Sequence, residues 1–212
     1  MSRSRSQKGI LVFLARDAEA RLLCYANAGV TKAEQAGEIL RFVAFWHQQT
    51  GALPRELVFD SQLTTYEHLA ELNRKGILFM TLRRRSRKML GHIFSRPASA
   101  WRRISLASLT RTFRTPKVLD ERIRLKGYEG ALRQVTVTDL GHEEPTIILT
   151  NNFSITAPAL VTRYAQRMLI ENGISNSSST VAEIFCFKIR RIQVGKGGVA
   201  LHFDRGAVSR FS

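Results

Sequence analysis

The segment 163–173, Arg-Tyr-Ala-Gln-Arg-Met-Leu-Ile-Glu-Asn-Gly, reads as a helix and carries Tyr164, Arg167 and Glu171 three and four residues apart. At about 100° per residue these three fall on one side of the helix. Val161, Met168 and Leu169 are assigned to a different, packing side. A phenol, a guanidinium and a carboxylate in one arc form either a solvated, salt-bridging surface or a face turned toward a cation and a phosphate. A second acid, Asp60, closes the short apolar run Glu-Leu-Val-Phe-Asp at 56–60. An aspartate at the C-terminal end of a buried strand caps the next turn or binds something, because an unpaired buried carboxylate is costly. Open α/β sheets place their ligands at such strand ends. Carboxylates of Asp60 and Glu171 converging there would suit Mg2+, a hard cation that prefers oxygen ligands. Two such ions about 3.5–4 Å apart activate an attacking hydroxyl and stabilise the leaving oxygen in phosphodiester chemistry.

The elements needed to bring these residues together can be read in order. Residues 9–15 and 21–28 are strand-type runs joined by a turn at Asp17-Ala-Glu-Ala20. Thr31 with Glu34 forms a capping-box pattern before a helix that Gly51 ends. The run ending in Asp60 is the next strand, and Thr64 with Glu67 predicts a capped helix stopping at Gly76. Residues 77–82 are another buried strand. Residues 83–145 change character: arginine clusters, Pro97, Pro116 and Gly127 punctuate short alternating segments, which predicts an inserted, basic, β-rich piece. An apolar strand at 146–150 then leads, through Thr156 as cap, into the helix with the polar trio. The serine-rich stretch 175–180 breaks that helix, and 176–212 reads as a divergent tail.

Charge points to the partner. Of the net +16, residues 83–133 contribute fifteen basic and three acidic side chains, so +12 resides in that segment. A focused basic surface attracts a polyanion, and counterion release from phosphates is a large source of affinity. Nucleic acid is therefore the expected partner, with Arg83, Arg84, Arg85, Arg87 and Lys88 as candidate contacts; Phe94, Trp101 and Phe113 interleave with the arginines. Other chemistries find little support. The five histidines have no zinc or triad spacing, and the Gly-Lys-Gly-Gly at 195–198 lacks the full phosphate-loop pattern. Cys24 and Cys186 lie in apolar runs, as buried thiols would. No apolar run reaches the roughly 18 residues of a membrane span, and the basic start at residues 1–8 lacks the apolar core of a secretory signal.

With these residues in view, the chain resembles the insertion-sequence transposases of the Asp-Asp-Glu type, which have a ribonuclease-H-like core and a β-rich insertion. The resemblance spans roughly residues 9–175. It rests on Asp60 at a strand end in Leu57-Val-Phe-Asp-Ser-Gln-Leu-Thr-Thr-Tyr66, on the 76–85 stretch, and on Tyr164, Arg167 and Glu171 in the register of the family's Tyr-x2-Arg-x3-Glu-x6-Lys signature. It implies an α/β fold, a ribonuclease-H-like mixed sheet flanked by helices. Residues 9–82 and 146–175 would form the core, 83–145 the insertion, and 1–8 a disordered basic terminus. It further implies Asp60 and Glu171 as catalytic ligands of two Mg2+ (or Mn2+) ions, and Tyr164 and Arg167 as phosphate contacts. Transposon ends would be the DNA substrate, the chain would work as a homodimer, and its setting would be the bacterial cytoplasm, associated with the nucleoid. Two family features are missing: the signature lysine falls at Ser178, and the strand carrying the first aspartate does not precede residue 9. The expectation is a truncated copy, weakly active or inactive in strand cleavage and transfer, whose sheet lacks its first core strand and exposes the backbone groups that strand would pair. The alternative is a non-catalytic, DNA-binding remnant.

Overall fold

The structure, a computed structural model, describes residues 12–18, 22–106, 115–140, 144–171, 183–189, 191–195 and 198–202; side chains are described as far as residue 166. Its centre is a mixed nine-stranded sheet flanked by helices. A hairpin of β1 (Val12–Asp17) and β2 (Leu23–Asn27) comes first. Helix α1 (Glu38–Thr50) follows, then β3 (Glu56–Phe59), α2 (Tyr66–Arg74) and β4 (Leu78–Leu82), the last parallel to β3. The stop signal at Gly51 acts as read, but the Thr31–Glu34 box opens a turn and a 3-10 helix at Gln35–Gly37, and α1 itself starts only at Glu38. Glu34 and Thr31 exchange capping bonds, and Gly51 ends α1 at φ 72°. The cap of α2 is Thr65 rather than Thr64, its Oγ1 accepting from His68 N.

Residues 83–145 differ from the expected separate piece in two ways. They include a helix, α3 (Arg87–Phe94), capped by Ser86 and packed through Ile93 on Leu119 and Ile147. Its signal was the 89/90/93 spacing of Met, Leu and Ile behind a serine, hidden in an arginine cluster. Their strands also extend the core sheet. β5 (Trp101–Arg103), β6 (Lys117–Ile123) and β7 (Leu132–Thr138) form an antiparallel run that β8 (Thr146–Thr150) joins to β4.

The β6–β7 turn closes back on the core. Gly127 has φ 86°, a conformation that residues with a side chain rarely adopt, and a Cβ there would displace the exposed Glu67 carboxylate. Tyr128 next to it is buried, edge-on to Phe79 at 6.3 Å, and burial pushes its phenol up to about 12. One core thus holds Phe13, Ile39, Phe42, Leu57, Phe59, Leu69, Leu72 and Phe79 together with Tyr128 and Leu132 of the basic segment.

The largest departure concerns the centre of the sheet. The strand order is β2-β1-β9-β3-β4-β8-β7-β6-β5, where β9 (Glu183–Ile189) comes from the segment read as a divergent tail. It lies antiparallel to β1 and parallel to β3. The backbone groups of β1 and β3 expected to be exposed are therefore paired, and the expectation of an open sheet is corrected. The physical reason is the composition of 183–189, Glu-Ile-Phe-Cys-Phe-Lys-Ile: it is apolar enough to lie between two buried strands, and it satisfies both ladders. A further hairpin, β10 (Arg191–Gly195) with β11 (Gly198–His202), forms its own two-stranded sheet.

Because the basic segment is bound to the core through Tyr128, Tyr128→Ala is expected to destabilise the whole chain by about 3 kcal/mol. Urea unfolding monitored by tryptophan fluorescence should show one transition at a lower midpoint. Two separate transitions would mean that the basic segment folds independently.

Candidate carboxylate and nucleic-acid site

Asp60 stands where β3 ends. It is the N-cap of a 3-10 turn at Ser61–Leu63, its Oδ1 accepting from Gln62 N at 2.9 Å and from Ser61 Oγ at 3.3 Å. The turn is held from outside as well: the buried Gln35 donates Nε2 to Gln62 O at 2.7 Å. Capping and ligand binding both remain open to this carboxylate, because a capping oxygen leaves lone pairs for a cation.

The helix expected to oppose it is α4 (Ala157–Glu171), with Thr156 as its cap. The chain enters α4 from the N-terminal end of β4, where Asn151 accepts from Phe79 N and donates to Ile77 O. Ala157, Leu160, Val161 and Tyr164 then pack on Val58 and Met80. Arg163 donates to Glu56 at the start of β3, Nη1 to Oε2 at 2.6 Å. From that level the helix rises about 12 Å over the eight residues to position 171. β3 rises about 13 Å from Glu56 to Asp60. α4 runs back alongside β3, toward the end of the sheet where Asp60 stands. The side chains of Arg167 and Glu171 lie outside the described residues.

Tyr164 is found on the packed side. It is 2% exposed, in one cluster with Val58, Met80 and Val161. Its assignment to a polar side separate from Val161 is corrected, because the ring is large enough to serve the core face that Val161 also serves, only about 60° away around the helix. A surface phosphate contact does not follow from that burial.

The ion pair that sets the height of α4 is itself a buried device. Glu56 is 2% exposed, and one of its oxygens, Oε1, has no hydrogen-bond partner. Burial pushes its carboxyl above the ordinary 4.5, opposed by the Arg163 guanidinium, the Asn152 amide and Arg55. Sequence reading missed this pair. A glutamate opening an apolar strand was the only signal, and its partner is 107 residues away.

The arginines sort into two groups. Arg83 donates to the buried Gln134, and Arg85 pairs with Glu144 at 2.7 Å while also reaching Pro145 O. Arg96 pairs with Glu121, Arg103 with Asp139, and Arg133 forks onto Asp120, which also holds Arg102. By contrast Arg84, Arg87 and Lys88 are exposed and have no carboxylate partner among the described residues. Two of them occupy the first turn of α3, where the helix dipole disfavours cations. Helix stability therefore does not explain them, whereas an incoming anion would.

Among the described residues, no three His, Cys, Asp or Glu side chains come together. Oxygen donors at Asp60 and Ser61 suit a hard cation, but one described carboxylate falls short of what a pair of ions requires. Strand β9 does not supply another at this end. Phe59 is level with Cys186, so Asp60 comes level with Phe187, and the strand's glutamate, Glu183, pairs in register with Glu56 at the opposite end. No protein-family model matches the chain, and no curated protein matches it significantly. No helix among the described residues is long and apolar enough to cross a membrane.

Replacing Arg163 by methionine should cost about 3–5 kcal/mol at pH 7, since it strands a buried charge. The folded value for Glu56 lies above 4.5, so the folded chain holds that proton more tightly than the unfolded one. Stability from this group is complete below about pH 4.5 and is lost as pH rises through the folded value. The deficit of Arg163→Met should accordingly shrink at pH 4, measured as the difference in urea midpoints between variant and parent at each pH. A deficit independent of pH would remove Glu56 as the cause.

Proposed function

We propose that this protein binds double-stranded DNA and has the core of an Asp-Asp-Glu transposase, with a carboxylate set too small for efficient two-metal strand transfer. The observation that supports the reading is the order β2-β1-β9-β3-β4, with α4 packed on β3, at whose end Asp60 stands. In a ribonuclease-H-like core, the place between β1 and β3 belongs to the strand bearing the first acid. Here β9 fills that place and presents Phe187 level with Asp60. The sheet is thus completed while the metal set is not, which supports weak catalysis or none. Mg2+ or Mn2+, if held, would rest on Asp60 and Glu171.

The DNA-binding part of the reading is supported by Arg84, Arg87 and Lys88, exposed and without a carboxylate partner among the described residues, beside six partnered arginines in the same segment. Exposed guanidinium and ammonium groups release counterions when they meet phosphates, whereas groups already paired with carboxylates release fewer. This favours the non-catalytic reading for the chain as it stands, with transposon ends as one class of duplex to test.

Fluorescence anisotropy with a duplex oligonucleotide should show binding that weakens steeply with salt. The triple change Arg84→Gln, Arg87→Gln, Lys88→Gln should lower the slope of log affinity against log salt by about 2–3. Arg83→Gln should act mainly through stability, since its partner Gln134 is buried. Absence of salt-sensitive binding in the parent would sink the reading. For catalysis, incubation with a nicked or blunt DNA end and Mg2+ should give little cleavage or joining. Vigorous joining that disappears in both Asp60→Ala and Glu171→Ala would instead establish a working transposase, and hydrolysis without joining would point to a nuclease.

A further inference from the structure

We infer that α3 docks on the sheet as a reversible local unit, and that a DNA duplex binding at Arg87 and Lys88 locks it down; the second half rests on the DNA-binding reading above. The helix is anchored on both sides. Before it, Arg83 N donates to Ile147 O, the Arg83 guanidinium donates to the buried Gln134, and Arg85 pairs with Glu144. After it, Arg96 pairs with Glu121 at 2.6 Å, and Glu121 is the register partner of Gln134. Residues 86–95 between these anchors carry no strand pairing, so they can leave the sheet without opening it. What holds them down is slight. Of the residues of α3 only Ile93 is buried; Met89 and Leu90 are half-buried, and Phe94 is exposed. A helix of this length is unstable by itself in water, since so few propagated bonds do not offset nucleation, and α3 therefore stays helical by being docked. Gly91 weakens it further: a Cβ there would meet nothing within 4 Å, so packing does not require glycine, which is a poor helix former.

Two further features oppose docking. Ile93 packs on Leu119 and Ile147, and both of these are register partners of Thr136. Directly opposed residues share a face of the sheet, so Thr136 stands in the row that Ile93 covers. Thr136 is 0% exposed, and its hydroxyl has no hydrogen-bond partner. Docking α3 thus buries this hydroxyl unpaired, and undocking returns it to water. At the start of the helix, Arg87 and Lys88 are exposed in the first turn without a carboxylate partner among the described residues. The helix dipole repels both, and only while the helix is formed. Phosphates seated on the two side chains cancel that repulsion, so they bind the docked helix better than the open segment. A ligand shifts an equilibrium by its difference in affinity for the two states, and the dipole supplies that difference here.

Amide hydrogen exchange of the full-length chain reads the docking directly, at residues 90–94 of α3 with residues 135–137 of β7 as the reference. In the free protein α3 should exchange by local opening, much faster than β7. Gly91→Ala should slow α3 exchange about four- to fivefold. Thr136→Val, which puts a methyl in place of the hydroxyl, should slow it about fivefold or more. A saturating duplex oligonucleotide should slow it about threefold or more. The double change Arg87→Gln, Lys88→Gln removes the same repulsion and should slow α3 to a similar degree without DNA. Exchange of α3 at the rate of β7 would overturn local docking. Unchanged α3 exchange in Thr136→Val would show that Ile93 does not cover that hydroxyl. A duplex that binds without slowing α3, or a double variant that exchanges like the parent, would overturn the locking and leave the DNA-binding reading standing. Absence of duplex binding would overturn that reading and the locking together, while the free-protein rates still decide whether α3 docks as a local unit.

Discussion

The sheet depends on a gap being filled. β1 and β3 are buried strands with no direct pairing between them, and each would carry a row of unpaired backbone groups if β9 were withdrawn. An unpaired buried N–H or C=O costs about 1–3 kcal/mol, so several left open together would rival the whole stability of a domain. The segment 183–189 is consequently structural, whatever its resemblance or lack of it to anything else. The aromatic cluster of Phe13, Tyr25 and Phe42 and the packing of α1 and α2 all rest on β1 and β3 being held at the spacing that β9 imposes.

Above that sheet, one ion pair ties α4 to β3. α4 is packed through apolar contacts that would tolerate sliding by a turn, since Val161 and Tyr164 meet a broad patch including Val58, Met80, Val135 and Ile148. The Glu56–Arg163 bond has no such freedom, because a charge-assisted hydrogen bond is lost over an ångström or two. Burial of Glu56 makes the pair costly to break. The consequence is that α4 is tied to the start of β3 at Glu56.

The basic segment shows why net charge alone overstates an interface. Most of its arginines between 83 and 133 are used internally. The Asp120–Arg133 fork ties β6 to β7, with Arg133 also donating to Ile155 O, and Arg85–Glu144 and Arg96–Glu121 close loops. Among the described residues, Arg84, Arg87 and Lys88, and farther along Arg124 and Lys126, remain exposed for a polyanion. The short β5 edge, with Arg102 and Arg103 exposed, is a poor template for pairing with another chain, as charged edges are.

Much of the architecture was legible because it is written locally. Periodicity at Ile39, Leu40, Val43 and Trp46, a cap at Thr156, and a left-handed Gly51 act over a few residues and need no knowledge of the rest of the chain. The sequence by itself therefore determined the order of strands and helices through residue 82, the helix at 157–171, the placement of Asp60 at a strand end, and the concentration of positive charge. Only the tertiary structure decided that 183–189 lies at the centre of the sheet, that Tyr164 is core, that α4 is pinned by Glu56, and which cations are left unpaired. Those outcomes join residues tens to more than a hundred positions apart. An apolar strand, a tyrosine or an arginine has the same local signature whether its partner is solvent, a core or a distant carboxylate.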